Sequence, residues 1–234
     1  MPNAFVRNIP NAVTCCNLIS GCIATLHAFY GDQDMALLFI VIGAVFDFFD
    51  GMTARLLHVS SPIGKELDSL ADVVTFGVAP STMVFTLLTQ SDYLLDSPLL
   101  ILVIPFLAFV MAAFSAFRLA KFNLDERQTT SFIGLPTPAN ALFWGSLIAG
   151  AGDKIVFFHY AQPVIIALIA VSCWLLVSEI PMFALKFKQW GWRGNEVKYL
   201  FLITCIPLAV VFGIAAFAII IAWYVILSVL ISKK

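Results

Sequence analysis

The chain has 234 residues, 61% hydrophobic and only 12% charged, with a mean hydropathy of +0.98. Soluble domains carry about half apolar and roughly a quarter charged residues, so a soluble globule is excluded. A formal net charge of -1 looks neutral, but a chain average hides how basic groups are shared among loops. Cys15, Cys16, Cys22, Cys173 and Cys205 lie inside apolar runs, with no C-x-x-C pair and no histidine at zinc spacing. They read as small core or lipid-facing residues. Arg7 alone precedes the first apolar run and no small-residue cleavage pattern follows it, so no removable signal peptide is expected.

Crossing the hydrocarbon takes about 20 mostly apolar residues. Stretches near 11–30, 33–56, 66–89, 98–121, 137–152 and 161–185 meet that need in chain order. The stretch 199–231 is almost wholly apolar and, at about 1.5 Å per residue, too long for one crossing. It predicts two shorter helices turning near Phe212-Gly213. The expected fold is all-α, a polytopic membrane helix bundle of about eight spans. No repeat or low-complexity linker divides it, so 1–234 is expected to be a single membrane domain. Sorted by side, every Lys and Arg except Lys154 falls on one face, while Asp32, Asp34, Asp92, Asp96 and Asp153 fall on the other. The positive-inside rule then puts both termini in the cytoplasm. The basic residues are spread along loop edges, and no nucleic-acid partner is expected.

Ionisable side chains within membrane segments are expensive and face a bundle interior or a watery cavity. The second span carries Asp47, Asp50, Gly51 and Ala54 at i, i+3, i+4 and i+7, hence on one helix face, with Arg55 beside it. In the third span Gly64, Asp68 and Asp72 align at four-residue spacing if the helix begins early enough. The short loop between them, with Ser60-Ser61-Pro62, makes the two spans antiparallel neighbours whose carboxylates meet at similar depth. Four like charges cannot stay ionised together in a low-dielectric site without cations. Two divalent ions would compensate them, and oxygen-only ligands favour Mg2+, Mn2+ or Ca2+ over zinc. Gly51 and Ala54 leave room for a ligand near the backbone, or for close helix packing.

The segment 47–72 reads D-F-F-D-G-M-T-A-R, eight residues, then G-K-E-L-D-S-L-A-D. It resembles, at every fixed position, the D-x-x-D-G-x-x-A-R-x(8)-G-x-x-x-D-x-x-x-D signature of the CDP-alcohol phosphatidyltransferase family. Asn8-Ile9-Pro10-Asn11 with Thr14, Asn17 and Gly21, and the segments 76–81, 117–123 and 132–138, are similar to the branch whose acceptor is serine. That resemblance covers roughly the first 145 residues. It implies transfer of a phosphatidyl group from CDP-diacylglycerol to L-serine, with residues 1–185 as a six-span catalytic core, 197–231 as an additional pair, and a homodimer among membrane lipids. It further implies that Asp47, Asp50, Asp68 and Asp72 hold two divalent cations, with Asp72 also the catalytic base. Gly51, Ala54, Arg55 and Gly64 would border the CDP moiety, with Asn11, Thr14 and Asn17 reaching it from the first span.

The chemistry suits these residue types. A pyrophosphate leaving group develops negative charge that metals and Arg55 can stabilise. A serine hydroxyl is a poor nucleophile at neutral pH and needs a carboxylate base within reach. Serine's own carboxylate needs a cation, for which Arg118 and Lys121 at the end of the fourth span are candidates, with Asn123 shaping the adjoining loop. Membrane anchoring is the plain alternative for both cations. The competing functions are another acceptor, glycerol-3-phosphate or inositol phosphate, and a cation or proton transporter. His58 and the segment 190–193 read as loop packing and membrane interface.

Overall fold

The computed structural model describes residues 4–59, 61–91, 97–125, 132–182, 191–192 and 195–232. Several charges behind the side-to-side asymmetry, among them Arg127, Lys186, Lys188, Arg193, Lys233, Lys234, Asp92 and Asp96, lie outside the described residues, as does Trp190.

Helices α1 (Ala4–Phe29) and α2 (Gln33–Leu56) form an extensively packed antiparallel pair. Gly31, at φ +83°, supplies the left-handed turn between them. Asp32 then caps α2, accepting from the Met35 N–H at 3.3 Å, while its second oxygen meets His27 Nδ1 at 3.1 Å. After His58, whose φ of 51° reverses the chain, Ser61 accepts from the Gly64 N–H at 3.0 Å and Pro62 opens α3 (Pro62–Asp72). A serine cap with proline in the first turn is a strong helix start, and it begins the helix ahead of the apolar stretch near 66. That early start puts Gly64, Asp68 and Asp72 on one face.

Beyond Asp72 the helix widens into one π-helical segment, Val73–Val78, before α4 (Ala79–Gln90). The Ala79 N–H bonds to Val74 C=O, five residues back. Pro80 follows, with no N–H to give and a ring that crowds the carbonyl four residues earlier, so a wider turn suits it. The next run joins α5 (Pro98–Val103), a 3₁₀ stretch around Pro105, and α6 (Val110–Leu124). Then come α7 (Thr137–Val156), α8 (Ala161–Val177), α9 (Glu196–Phe212) and α10 (Ala216–Ser232). A two-residue antiparallel ladder pairs β1 (Phe132–Ile133) with β2 (Pro181–Met182).

Among the described residues five helical runs are long and apolar enough to cross a membrane: Asn8–Phe29, Gln33–Leu56, Pro62–Gln90, Pro98–Leu124 and Glu196–Ile231; Ala161–Val177 is a shorter apolar helix. This is the build of an integral membrane protein. The last run is bent at Gly213, whose φ of 56° and ψ of -128° suit only glycine. There α10 folds back on α9, with Trp223 Nε1 donating to Thr204 Oγ1 at 3.1 Å and the Phe201 and Tyr224 rings in edge contact. The helix expected over 161–185 stops at Val177, because Pro181 pushes Ile180 toward extended backbone and the chain enters β2. The cysteines are all free, Cys173 buried and Cys15, Cys16 and Cys22 exposed on α1.

The third run is the centre of the bundle: 72% of its apolar stretch is buried, against 22–33% for the others. Phe76, Met83, Val84 and Leu88 pack there with Ile40, Met111 and Trp144 from three neighbouring helices. Close approach of α1 and α2 to this run depends on two glycines. A Cβ on Gly43 would lie 2.5 Å from Thr75 Cγ2, and one on Gly21 would lie 2.8 Å from the Thr75 backbone nitrogen. Gly21→Ala is therefore expected to destabilise the fold by about 1–3 kcal/mol, the range of overpacking. Gly51→Ala, where a Cβ meets nothing nearer than Arg55 at 3.7 Å, is expected to unfold like the wild type in the same detergent melt.

Candidate active site

Asp47, Asp50 and Asp68 each offer a carboxylate oxygen within 4.8 Å of the others. Two unit charges at that separation repel by about 3 kcal/mol at an effective dielectric of ~20, so the trio demands a positive partner. It joins Asp47 and Asp50 near the end of α2 to Asp68 of α3, as their one-face spacing requires. Asp72 lies one turn further into the bundle and is 7% exposed.

Helix α1 holds the two most buried acids. Thr14 Oγ1 donates to Asp50 Oδ2 at 2.6 Å and also lies 3.0 Å from the Pro10 carbonyl. Asn17 Nδ2 donates to Asp72 Oδ1 at 3.1 Å. Thr75 Oγ1 in turn donates to the Asn17 carbonyl at 3.0 Å, tying the π segment after Asp72 to the residue that orients Asp72. Hydrogen bonds to charged groups contribute about 1.5–3 kcal/mol each, and they fix the carboxylates in direction as well as energy. Asp68 Oδ1 is buried with no hydrogen-bond partner among the described residues. An all-oxygen donor set with an orphaned carboxylate oxygen fits a hard divalent cation.

Beside the acids opens a cleft of about 200 Å³. Of the residues expected at a nucleotide site, Asn11, Thr14, Gly51, Ala54 and Gly64 line it, together with Asp50 and Asp68. Gly64 is required there, since a Cβ would meet Asn11 Oδ1 at 2.9 Å and Ser61 Oγ at 3.0 Å. Arg55 is exposed at the rim, its guanidinium over Gly51. Asn17 does not line the cleft: it is fully buried and its amide nitrogen is committed to Asp72. Pro10, Val59, Ser61 and Lys65 complete the walls; in sequence Pro10 belongs to a resembling motif without a role of its own, Lys65 reads as one more membrane anchor and Ser61 as a turn residue.

The three residues expected to hold the acceptor part company. Arg118 is 7% exposed, its guanidinium 5.6 Å from the Phe122 ring centroid and its Nε without a partner among the described residues. Lys121 Nζ pairs with Glu179 Oε1 at 3.0 Å near the surface. Asn123 Nδ2 donates to Ser69 Oγ at 2.8 Å and its carbonyl accepts from Lys65 Nζ at 2.9 Å, joining the end of α6 to α3. Of the described part of the interface segment, Trp192 stacks on Tyr199, with ring centroids 5.4 Å apart.

Clustered carboxylates on two adjoining helices, a glycine-lined cleft and an exposed arginine beside it form an acid-rich site within apolar helices. The chain belongs to the CDP-alcohol phosphatidyltransferase family, whose model matches residues 7–184. It is similar to the CDP-diacylglycerol–serine O-phosphatidyltransferase of Bacillus subtilis, 35% identical over 74% of this chain and 88% of that protein. The proteins of that name from Helicobacter pylori and Methanocaldococcus jannaschii are each 29% identical, over 91% and 77% of this chain and 84% and 88% of their own lengths.

If the trio acts as one unit, Asp68→Asn should lower turnover by about hundredfold or more at saturating magnesium. Thr14→Val, which removes one hydrogen bond to Asp50, should cost about tenfold. A steady-state assay of CMP release measures both, and near wild-type turnover of Asp68→Asn would separate the acids from the chemistry.

Proposed function

We propose that this chain transfers the phosphatidyl group of CDP-diacylglycerol to L-serine, giving phosphatidylserine and CMP. The observation that carries the reading is that three of the signature's four acids, Asp47, Asp50 and Asp68, converge beside a cleft walled by its small residues Gly51, Ala54 and Gly64. The names of the relatives support serine as acceptor.

Asp47, Asp50, Asp68 and Asp72 are the residues that would hold two divalent cations, Mg2+ or Mn2+, with Ca2+ a possible occupant of the same oxygens. Such ions supply charge neutralisation for the pyrophosphate and its leaving group. The chain's own residues do the rest. Asn11, Thr14, Gly51, Ala54 and Gly64 take the CDP moiety in the cleft, and Arg55 at the rim faces the departing phosphate. Asn17 aims Asp72, which accepts the proton as the serine hydroxyl oxygen bonds to the phosphatidyl phosphorus. The bond from that phosphorus to the oxygen of CMP breaks, and CMP leaves with the electron pair. Arg118 meets the serine carboxylate. An acceptor phosphate would call for further cations, whereas Lys121 is engaged with Glu179.

The membrane arrangement we propose has eight spans: α1, α2, the runs 62–90 and 98–124, α7, α8, and the α9–α10 pair. The first six form the catalytic core of one domain and the last two are an addition to it. Both termini and the site lie on the cytoplasmic side, and the chain works as a homodimer. This puts the cleft at the interface, where the cytidine is in water and the acyl chains are in lipid.

Arg118→Gln should raise the serine KM by about tenfold or more with little change for the lipid donor, since a desolvated ion pair costs on the order of 2–5 kcal/mol to break. Lys121→Gln should move it by less than about fivefold, as for an exposed pair. A serine titration at saturating donor distinguishes them, and an unmoved KM in Arg118→Gln would remove the acceptor role. For orientation, single cysteines at Ser61 and Asp153 in a thiol-free background should label from opposite sides of sealed membranes. Labelling of both from one side would reject the span order.

A further inference from the structure

Most buried polar atoms find a partner, because leaving one unpaired in an apolar interior is unfavourable. On α6 and α7 several do not. Arg118 Nε, Thr137 Oγ1 and both Nδ2 and Oδ1 of Asn140 are buried with no hydrogen-bond partner among the described residues. Thr137 is 0% exposed and Asn140 1%. Both belong to the first turn of α7, at i and i+3, on one face.

Helix register brings these groups together. A Cβ on Gly77 would lie 3.2 Å from Ser115 Cβ, so α6 crosses the π segment there. The two runs are antiparallel, as the Asn123–Ser69 bond confirms, and one turn beyond that crossing Arg118 reaches the level of Asp72. On the other side, Trp144 Nε1 donates to Ser172 Oγ at 3.0 Å and fixes α7 against α8. Four residues along each antiparallel helix from that bond, the register sets Asn140 level with Leu176, and Leu176 borders a small cavity with Arg118. The Leu135 N–H to Leu175 C=O bond, at 2.9 Å, closes the chain just ahead of α7. Arg118, level with Asp72, and Asn140, level with Leu176, thus belong to two different helices that both meet the end of α8.

The donor and acceptor inventory of this group is specific. A guanidinium only donates, whereas an amide also offers an acceptor oxygen, and a hydroxyl offers both. An acceptor that carries a carboxylate and an ammonium offers a partner to both ends of the amide, whereas a phosphate-bearing alcohol engages the amide nitrogen and leaves its oxygen without a donor. We propose that Asn140 is a specificity-determining residue that reads the ammonium of an amino-acid acceptor through its side-chain oxygen, with Thr137 beside it and Arg118 on the carboxylate. This rests on the acceptor reading above and adds the residues that reject amine-free alcohols.

The test is Asn140→Leu, close in size, in the full chain. The serine KM should rise by about tenfold or more while the donor KM stays within about twofold. Glycerate, which has the hydroxyl and carboxylate of serine but no ammonium, should lose its disadvantage, so that the serine-to-glycerate ratio of kcat/KM falls by about the same factor. Removing an unpaired buried amide should leave the melting temperature unchanged or raise it, whereas a merely structural asparagine would melt lower. Asn140→Asp keeps an oxygen for the ammonium and should retain the serine KM within about threefold, which is the second measurement if the leucine variant fails to fold. An unchanged serine KM in Asn140→Leu, an equal loss for serine and glycerate, or a lost preference for serine in Asn140→Asp would each overturn the assignment. Wild-type enzyme releasing no CMP with serine would instead overturn the function on which it rests.

Discussion

Carboxylates that are forced together inside a low-dielectric bundle set the terms for everything around them. The oxygens of Asp47, Asp50 and Asp68 come within 4.8 Å, with Asp72 one turn away and nearly sequestered. Repulsion of about 3 kcal/mol per pair would spread these side chains or neutralise them unless opposite charge is supplied. A protein that keeps such a cluster in two helices, and directs one arginine to its rim, is arranged to be completed by cations and by an anionic substrate. The neighbouring interactions can be understood as ways of keeping the acids in place until that happens.

Helix α1 is the main restraint. Thr14 and Asn17, one turn apart, hold Asp50 and Asp72 on different helices, and Thr75 then secures the backbone of Asn17. These contacts need three helices to meet closely, which Gly21 and Gly43 permit by facing Thr75 without side chains. The π segment at Val73–Val78 falls between Asp72 and the proline of α4, so a local irregularity forced by Pro80 sits next to the residue we assign as base. Packing, backbone geometry and acid placement are therefore one problem, solved at Thr75.

Much of the site was legible because helical spacing is a strong constraint. Asp47, Asp50, Gly51 and Ala54 had to share a face, and so did Gly64, Asp68 and Asp72, once Ser61 and Pro62 started the helix early. The fold-back of the C-terminal run could be anticipated at Gly213 because the run exceeds a bilayer. What sequence could not show was pairing across helices. In sequence Asn17 groups with the nucleotide residues, yet its amide nitrogen is turned to Asp72, and Lys121 looks as free as Arg118 although Glu179 lies beside it in the fold. The π turn left no periodic signal, and Asn140 is one polar residue in an apolar stretch until its burial without a partner is known.

The most direct measurement is the binding of Mn2+ to purified protein in detergent, followed by the loss of the free-ion electron paramagnetic resonance signal as metal is titrated in the presence of a CDP-lipid. Two ions bound per chain are expected, with binding reduced to the background of non-specific sites when Asp47, Asp50 and Asp68 are all replaced by asparagine. Equal Mn2+ uptake by the wild type and the triple variant would contradict the proposal that this carboxylate cluster is a metal site.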